Sequence, residues 1–154
     1  MNISSRVFVT VLAVLLWSLQ GCKTEDEKPD TGPVPSIAFV SISPSEVEEY
    51  SQKVILRISY RDYDGDLGEN NPDAKNLFVT DKRNNVAYQY RIPRLAPEGS
   101  TIPIIGELPI EINKIALIDE KNTSEQVTFD VYLTDRAGNK SNVVSTTPIT
   151  VKKR

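Results

Sequence analysis

The sequence contains no histidine, and this absence removes several kinds of catalytic and metal site at once. Histidine general-base catalysis, Ser-His-Asp triads, Cys-His nucleophile pairs and most zinc sites all require an imidazole. A single cysteine, Cys22, excludes a disulfide within the chain. The formal net charge is −3, and the one basic run is the terminal Lys152-Lys153-Arg154. Because phosphate binding needs a clustered basic face, we expect no nucleic-acid partner.

The first 22 residues have the organisation of an export signal. One positive charge, Arg6, precedes an almost wholly apolar run at 7–16, which is shorter than the roughly 20 residues that span a bilayer. The run is followed within a few residues by Leu, Gln, Gly and Cys at 19–22. We therefore expect residues 1–21 to be a signal peptide that is removed on export.

The tetrapeptide at 19–22 resembles the lipobox of bacterial lipoproteins, with Gln20 where that family usually has Ala, Ser or Thr. The resemblance implies that the Cys22 sulfur receives a diacylglycerol, and that the chain is cut before Cys22 and acylated there. Each buried CH₂ contributes about 0.8 kcal/mol to anchoring. The expected location is the outer membrane, with the domain facing the periplasm or the cell surface. The alternative is an ordinary signal peptide in which the cysteine is incidental.

Residues 22–35 carry the lipidated cysteine and a charged, proline-rich stretch whose only large apolar residue is Val34. Such a composition cannot bury enough surface to order itself, so we expect a flexible acidic linker. The acidic cluster at 25–27 also resembles the surface-export signal of Bacteroidetes lipoproteins. A solvated linker explains the same charges equally well.

Residues 36–154 show the period-two alternation of hydrophobic residues that indicates β-strands, and no stretch has a sustained helical period. The expected strands are 37–42, 54–60, 77–80, 86–92, 108–112, 115–118, 127–134 and 143–151. Asn84-Asn85 is typical of a hairpin turn. The pattern predicts an all-β domain, a single immunoglobulin-like β-sandwich of about seven strands, with a small barrel as the alternative.

Two turns rich in Asp and Gly follow the expected strands B (54–60) and F (127–134). In an immunoglobulin-like sandwich the B–C and F–G loops lie at the same pole. Calcium takes six to eight oxygen ligands, and carboxylates at alternate positions of a glycine-containing loop can supply them. The candidate calcium ligands are Asp62, Asp64, Asp66, Glu69, Asp135 and Asn139. An EF-hand is excluded because Leu67 stands where that loop requires glycine.

The same two turns resemble the Asp-x-Asp-Gly-Asp and Asp-x-Ala-Gly-Asn loops of immunoglobulin-like and cadherin-like bacterial surface domains. The first motif lies at 62–66 and the second at 135–139. Two alternatives need no metal. The loops are simple turns whose Asp and Asn side chains cap backbone groups, or Arg61 and Arg136 neutralise the acids through ion pairs.

A proline-rich stretch at 93–109 predicts a long connection between strands, because four prolines and two glycines disfavour a regular central strand. Its apolar side chains either cover one end of the domain or contact a partner. Two tyrosines on the preceding strand either stack on a sugar or fill a half-buried surface. The speculative binding residues are Tyr88, Tyr90, Leu95, Ile102 and Ile104.

The sequence leaves three functions open. The first is a non-catalytic lipoprotein of the cell envelope, which acts as a tethered binding or adhesion module with a calcium-stabilised pole and an envelope protein or glycan as partner. The second is a structural accessory subunit that docks to another envelope protein. The third is a metal- or carboxylate-dependent hydrolase. It ranks last because a turn at the tip of a sandwich encloses little of a ligand.

Overall fold

The computed structural model describes residues 32–154. The expected signal peptide at 1–21, Cys22 and most of the linker at 22–35 lie outside the described residues. Within them the chain forms the strands β1 (Ser36–Ser43), β2 (Glu46–Glu48), β3 (Val54–Asp62), β4 (Leu77–Asp81), β5 (Val86–Tyr90), β6 (Ile104–Ile112), β7 (Ser124–Val127), β8 (Phe129–Leu133), β9 (Val144–Ser145) and β10 (Ile149–Lys152).

The strands belong to three sheets with the orders β1-β3-β6, β2-β10-β7 and β5-β4-β8-β9. All neighbours are antiparallel except β2 and β10, which run parallel. The prediction of an all-β fold is confirmed, since residues 32–154 contain strands and turns but no helix. That part of the chain accordingly offers no helix that could cross a membrane.

The core lies where the alternation in the sequence places it. In β3 the buried side chains are Val54, Leu56, Ile58 and Tyr60, while the residues between them face outward. Buried side chains from all three sheets join the same hydrophobic cluster. The largest of the completely buried ones is Phe129 on β8. Each such side chain contributes about 1.5–3 kcal/mol by leaving water, so the strand register is strongly fixed.

Two expected strands are interrupted because the chain passes from one sheet to another. The segment 127–134 divides at Thr128, where β7 of one sheet ends and β8 of another begins. The segment 143–151 divides into β9 and β10 in the same way. At this crossing Thr146 replaces the missing ladder bonds, since its hydroxyl oxygen accepts the Phe129 N–H (3.1 Å) and its N–H donates to the Phe129 carbonyl (2.9 Å).

The expected connection at 93–109 is wrong in its second half, because β6 begins at Ile104 and includes Pro109. Among the described residues, strand β6 pairs only with β3, so its other edge has no neighbouring strand there. The carbonyl of Glu111 points to that free edge, where it accepts the Tyr90 hydroxyl (3.0 Å). Pro109, two residues earlier, has the same orientation, and its missing N–H therefore costs no ladder bond.

Two other local expectations have different outcomes, and one short strand was not expected. The turn at Asn84-Asn85 does join β4 to β5, with Asn85 at a φ of 59°. The expected strand at 115–118 is instead irregular, although Ile115 is buried in the core. Strand β2 was not predicted, because three residues are too few for a periodic signal.

Candidate metal centre

The acidic loop, defined here as residues 62–69, begins within the last residue of β3. Asp62 is completely buried, and its Oδ2 atom accepts the Leu67 N–H at 2.7 Å. This bond closes the loop over five residues, and the side chain of Leu67 is also completely buried. The same strand alternation that buries Tyr60 thus carries a carboxylate into the end of the core.

Three carboxylates converge inside this loop. One oxygen each of Asp62, Asp64 and Asp66 lies within 4.8 Å of the other two. The Oδ1 atom of all three residues is buried from solvent and has no hydrogen-bond donor. Buried polar atoms without a partner are rare in folded proteins, so three in one cluster make this loop a candidate site for a proton or a cation.

Burial and the closeness of the carboxylates also raise the pKa values of Asp62 and Asp66. The pKa of Asp62 is raised to about 6, first by burial and then by the neighbouring side chain of Asp64. The pKa of Asp66 is also raised, first by burial and then by the negative charge of Asp135. Bringing these carboxylates together is therefore unfavourable unless a proton or a cation relieves the repulsion.

Glycine residues allow the acidic loop to turn back on itself. Gly65 and Gly68 have φ angles of 72° and 90°, in the left-handed region that side chains avoid. A Cβ atom at either position would also collide with a carbonyl oxygen. At Gly65 it would lie 2.3 Å from the oxygen of Ile102, and at Gly68 it would lie 2.3 Å from the oxygen of Pro93. The loop is consequently closed on one side by the segment that follows β5.

The turn after β8 closes the other side of the acidic loop, so the two acidic turns do meet. The Arg136 N–H donates to the Asp66 carbonyl at 3.3 Å, and the Ala137 N–H donates to Asp66 Oδ2 at 3.0 Å. The Arg136 guanidinium donates to the carbonyl of Gly68 at 2.9 Å. These contacts place the second turn against the first through its backbone.

The two explanations without a metal account for only part of this geometry. Turn capping explains the Oδ2 atoms of Asp62 and Asp66, which accept backbone N–H groups. It leaves the three Oδ1 atoms without a donor. Within residues 32–154, neither Arg61 nor Arg136 forms an ion pair with these carboxylates. The charge of Arg136 does lower the pKa of Asp66, but without an ion pair.

The other expected ligands lie beside the cluster and not in it. Both carboxylate oxygens of Asp135 are used by Asn139, whose N–H donates to Oδ1 (2.7 Å) and whose Nδ2 donates to Oδ2 (2.8 Å). Glu69 accepts the N–H groups of the next two residues, which lowers its pKa. The structure therefore brings together three of the six predicted calcium ligands, and the remaining three stabilise the turns around them.

The speculative binding residues separate in a similar way. Tyr88, Tyr90, Leu95 and Ile104 are partly buried and pack against the hydrophobic core. The Tyr88 ring meets a buried phenyl ring of β8 edge-on at 6.5 Å. Ile102 is the one exposed member of the set, with 51% of its surface accessible.

The main chain of residues 92–103 lies against the acidic loop at both glycines, a contact that the sequence did not predict. No sequence signal marked that contact, because it involves backbone atoms on one side and glycines on the other. No protein-family model matches the chain, and comparison with curated proteins and with solved structures also finds no match. This site and the sequence are therefore the basis for inferring a function.

Proposed function

We propose that the chain is a lipid-anchored, non-catalytic protein of the cell envelope, a tethered binding or adhesion module whose acidic loop holds a calcium ion. The observation that carries the ion is the trio of buried Oδ1 atoms of Asp62, Asp64 and Asp66, which have no donor. A divalent cation would supply the positive charge that these oxygens need. Within residues 32–154 no Lys or Arg side chain forms an ion pair with them.

The chemistry of the donors favours calcium over other ions. All three candidate ligands are carboxylate oxygens, and the sequence has no histidine and only one cysteine for a softer metal. Calcium tolerates irregular cages of six to eight oxygens, whereas magnesium demands near-ideal octahedral geometry. Main-chain carbonyls and water would complete the calcium shell, because three carboxylates alone are too few.

The enclosure of the site supports a stabilising ion over a catalytic one. A metal that acts on a substrate keeps an open coordination position, whereas the three Oδ1 atoms here are buried from solvent.

The immunoglobulin-like interpretation of the fold is supported by the sheet orders. Strands β1, β3 and β6 correspond to A, B and E, and strands β4, β8 and β9 correspond to C, F and G.

The ion is tested by thermal unfolding of the protein in calcium and in a chelator. A cation that binds only the folded chain should stabilise it by about 2.7 kcal/mol at a hundredfold excess over Kd. We expect Asp64→Asn to abolish the calcium-dependent rise in melting temperature. The matched control is Asp73→Asn, which changes an exposed carboxylate further along the same connection between β3 and β4. Equal melting in calcium and chelator would exclude the proposed ion.

The anchor is tested independently, by expressing the full chain in bacteria supplied with a labelled fatty acid. We expect the label on the wild-type protein and recovery of that protein with membranes. Cys22→Ser should lose both the label and the membrane association, because the sulfur is the expected site of acylation. A wild-type protein that stays unlabelled and in the aqueous fraction would contradict the lipoprotein assignment and leave the calcium proposal unaffected.

A further inference from the structure

The segment between β5 and β6 is attached to the acidic loop along its length. We call residues 92–103 the strap. At its start the carbonyl of Ile92 accepts the Glu69 N–H (2.9 Å), and the Leu95 N–H donates to the Leu67 carbonyl at 3.4 Å. At its end the Ile102 carbonyl oxygen lies 2.3 Å from the point that a Cβ on Gly65 would occupy. The strap therefore crosses the loop from one glycine to the other.

The strap contacts the acidic loop between its carboxylates. Gly65 separates Asp64 from Asp66, and the Ile102 peptide fills the space beside that glycine. A change in the loop backbone that spreads the two flanking carboxylates would also move this glycine. The strap has a positive charge of its own, Arg94, but that side chain pairs with Glu98 at 3.0 Å and not with the cluster.

The strap has little other fixation in its second half. Its first part is held by buried Ile92 and Ala96 and by the side chain of Asn76, which accepts the Ile92 N–H (2.6 Å). From Pro97 to Pro103 the side chains are exposed or partly exposed, and Ile102 is 51% exposed. Segments with few buried contacts open locally at low cost.

We propose that cation binding in the acidic loop controls whether the strap is closed on the domain. This inference rests on the proposed calcium site. With the ion bound, the three carboxylates hold together and Gly65 keeps its close approach to Ile102. Without the ion, repulsion among the carboxylates spreads the loop, and the strap detaches from its second half onward. Calcium thereby sets the exposure of the strap to solvent and to proteases.

The experiment is hydrogen–deuterium exchange of the full-length protein, read by mass spectrometry in saturating calcium and in a chelator, with calcium binding measured by calorimetry on the same sample. We expect exchange in peptides covering 92–103 and 62–69 to slow on the order of tenfold in calcium. Peptides covering β2 and β10, which belong to a different sheet from β3 and β6, should slow far less. Asp66→Asn should abolish the difference, and Asp73→Asn should retain it.

The outcomes separate this inference from the proposed function. Calcium binding by calorimetry with unchanged exchange in the strap would overturn the inference and leave the calcium site standing. Binding with equal slowing throughout the domain would also overturn it, because the effect would then be global stabilisation. An absence of calcium binding would overturn the proposed site, and the inference with it.

Discussion

The acidic loop and the hairpin that joins β4 to β5 both bury aspartate, but they treat the charge differently. At the hairpin, Asp81 is 1% exposed, and the guanidinium of Arg83 holds it with Nη2 at 2.7 Å from Oδ2. The same guanidinium reaches Glu125 on β7 at 2.8 Å. We call Asp81, Arg83 and Glu125 the arginine network. Asp62, equally buried, has only other carboxylates and backbone groups around it.

The pKa values express this contrast. In the arginine network the backbone N–H groups of Ile118 and Asp119, with further bonds, hold the pKa of Glu125 at about 2. Burial alone would lower the pKa of Arg83, but the bonds and charges of its two acidic partners raise it. In the acidic loop, burial and neighbouring carboxylates raise the pKa of Asp62 to about 6. The fold therefore neutralises one acidic cluster with an internal arginine and leaves the Oδ1 atoms of the other without a partner.

The largest expected effect comes from removing the internal cation of the arginine network. Arg83→Met leaves Asp81 buried without its partner and removes the bridge from the hairpin to β7. We expect a loss of about 3–5 kcal/mol in the free energy of unfolding, measured by chemical denaturation. Calcium should raise the stability of the wild type and of Arg83→Met by the same amount, because the acidic loop lies elsewhere in the fold. A smaller difference between the two proteins in calcium than in chelator would mean that the two clusters are not independent.

The matched control for this substitution is Lys53→Met, which removes an equally short ion pair at the surface. Lys53 lies 2.7 Å from Glu111, but the two side chains are 62% and 52% exposed. Water already solvates both charges, so we expect a change of at most about 1 kcal/mol. A control as destabilising as Arg83→Met would show that burial is not what distinguishes the two pairs.

The sequence predicted the strands where one face of an antiparallel strand is buried over a sufficient length. β3 alternates over nine residues and was predicted almost completely. β2, with three residues, is too short for a period and was not predicted. β6 was predicted only from Leu108 onward, because its proline signals an interruption in a central strand but is tolerated at a free edge.

The sequence predicted the acidic cluster because its three members are local, at alternate positions of one loop. It could not predict that Asp135 would be bonded to Asn139. The same turn sequence allows the Asp135 carboxylate to accept from an amide or to bind a metal. The arginine network was missed for a different reason. Arg83 and Glu125 are 42 residues apart, and only the packing of the sheets brings their charges together.

A smaller effect is expected from titrating the acidic loop, and it should have the opposite sign to ordinary acid denaturation. The pKa of Asp62 is about 6 in the folded chain, against an ordinary value of 3.8. The folded protein therefore holds this proton more tightly than the unfolded one. In a chelator, its contribution is fully present below the ordinary pKa and is lost as the pH rises through about 6.

Chemical denaturation in chelator from about pH 4.5 to about pH 7 measures this loss. Glu125 interferes little, because its pKa is about 2 in the folded chain and its ordinary value of 4.5 lies at the start of this interval. One pKa unit corresponds to about 1.4 kcal/mol, so we expect stability to fall by roughly 2 kcal/mol over this interval. Asp62→Asn should remove the fall, because an amide does not titrate. Saturating calcium should reverse it, since the ion binds more tightly once the proton is gone. Stability that rises with pH in chelator would mean that Asp62 has a neutralising partner, and the contrast with the arginine network would disappear.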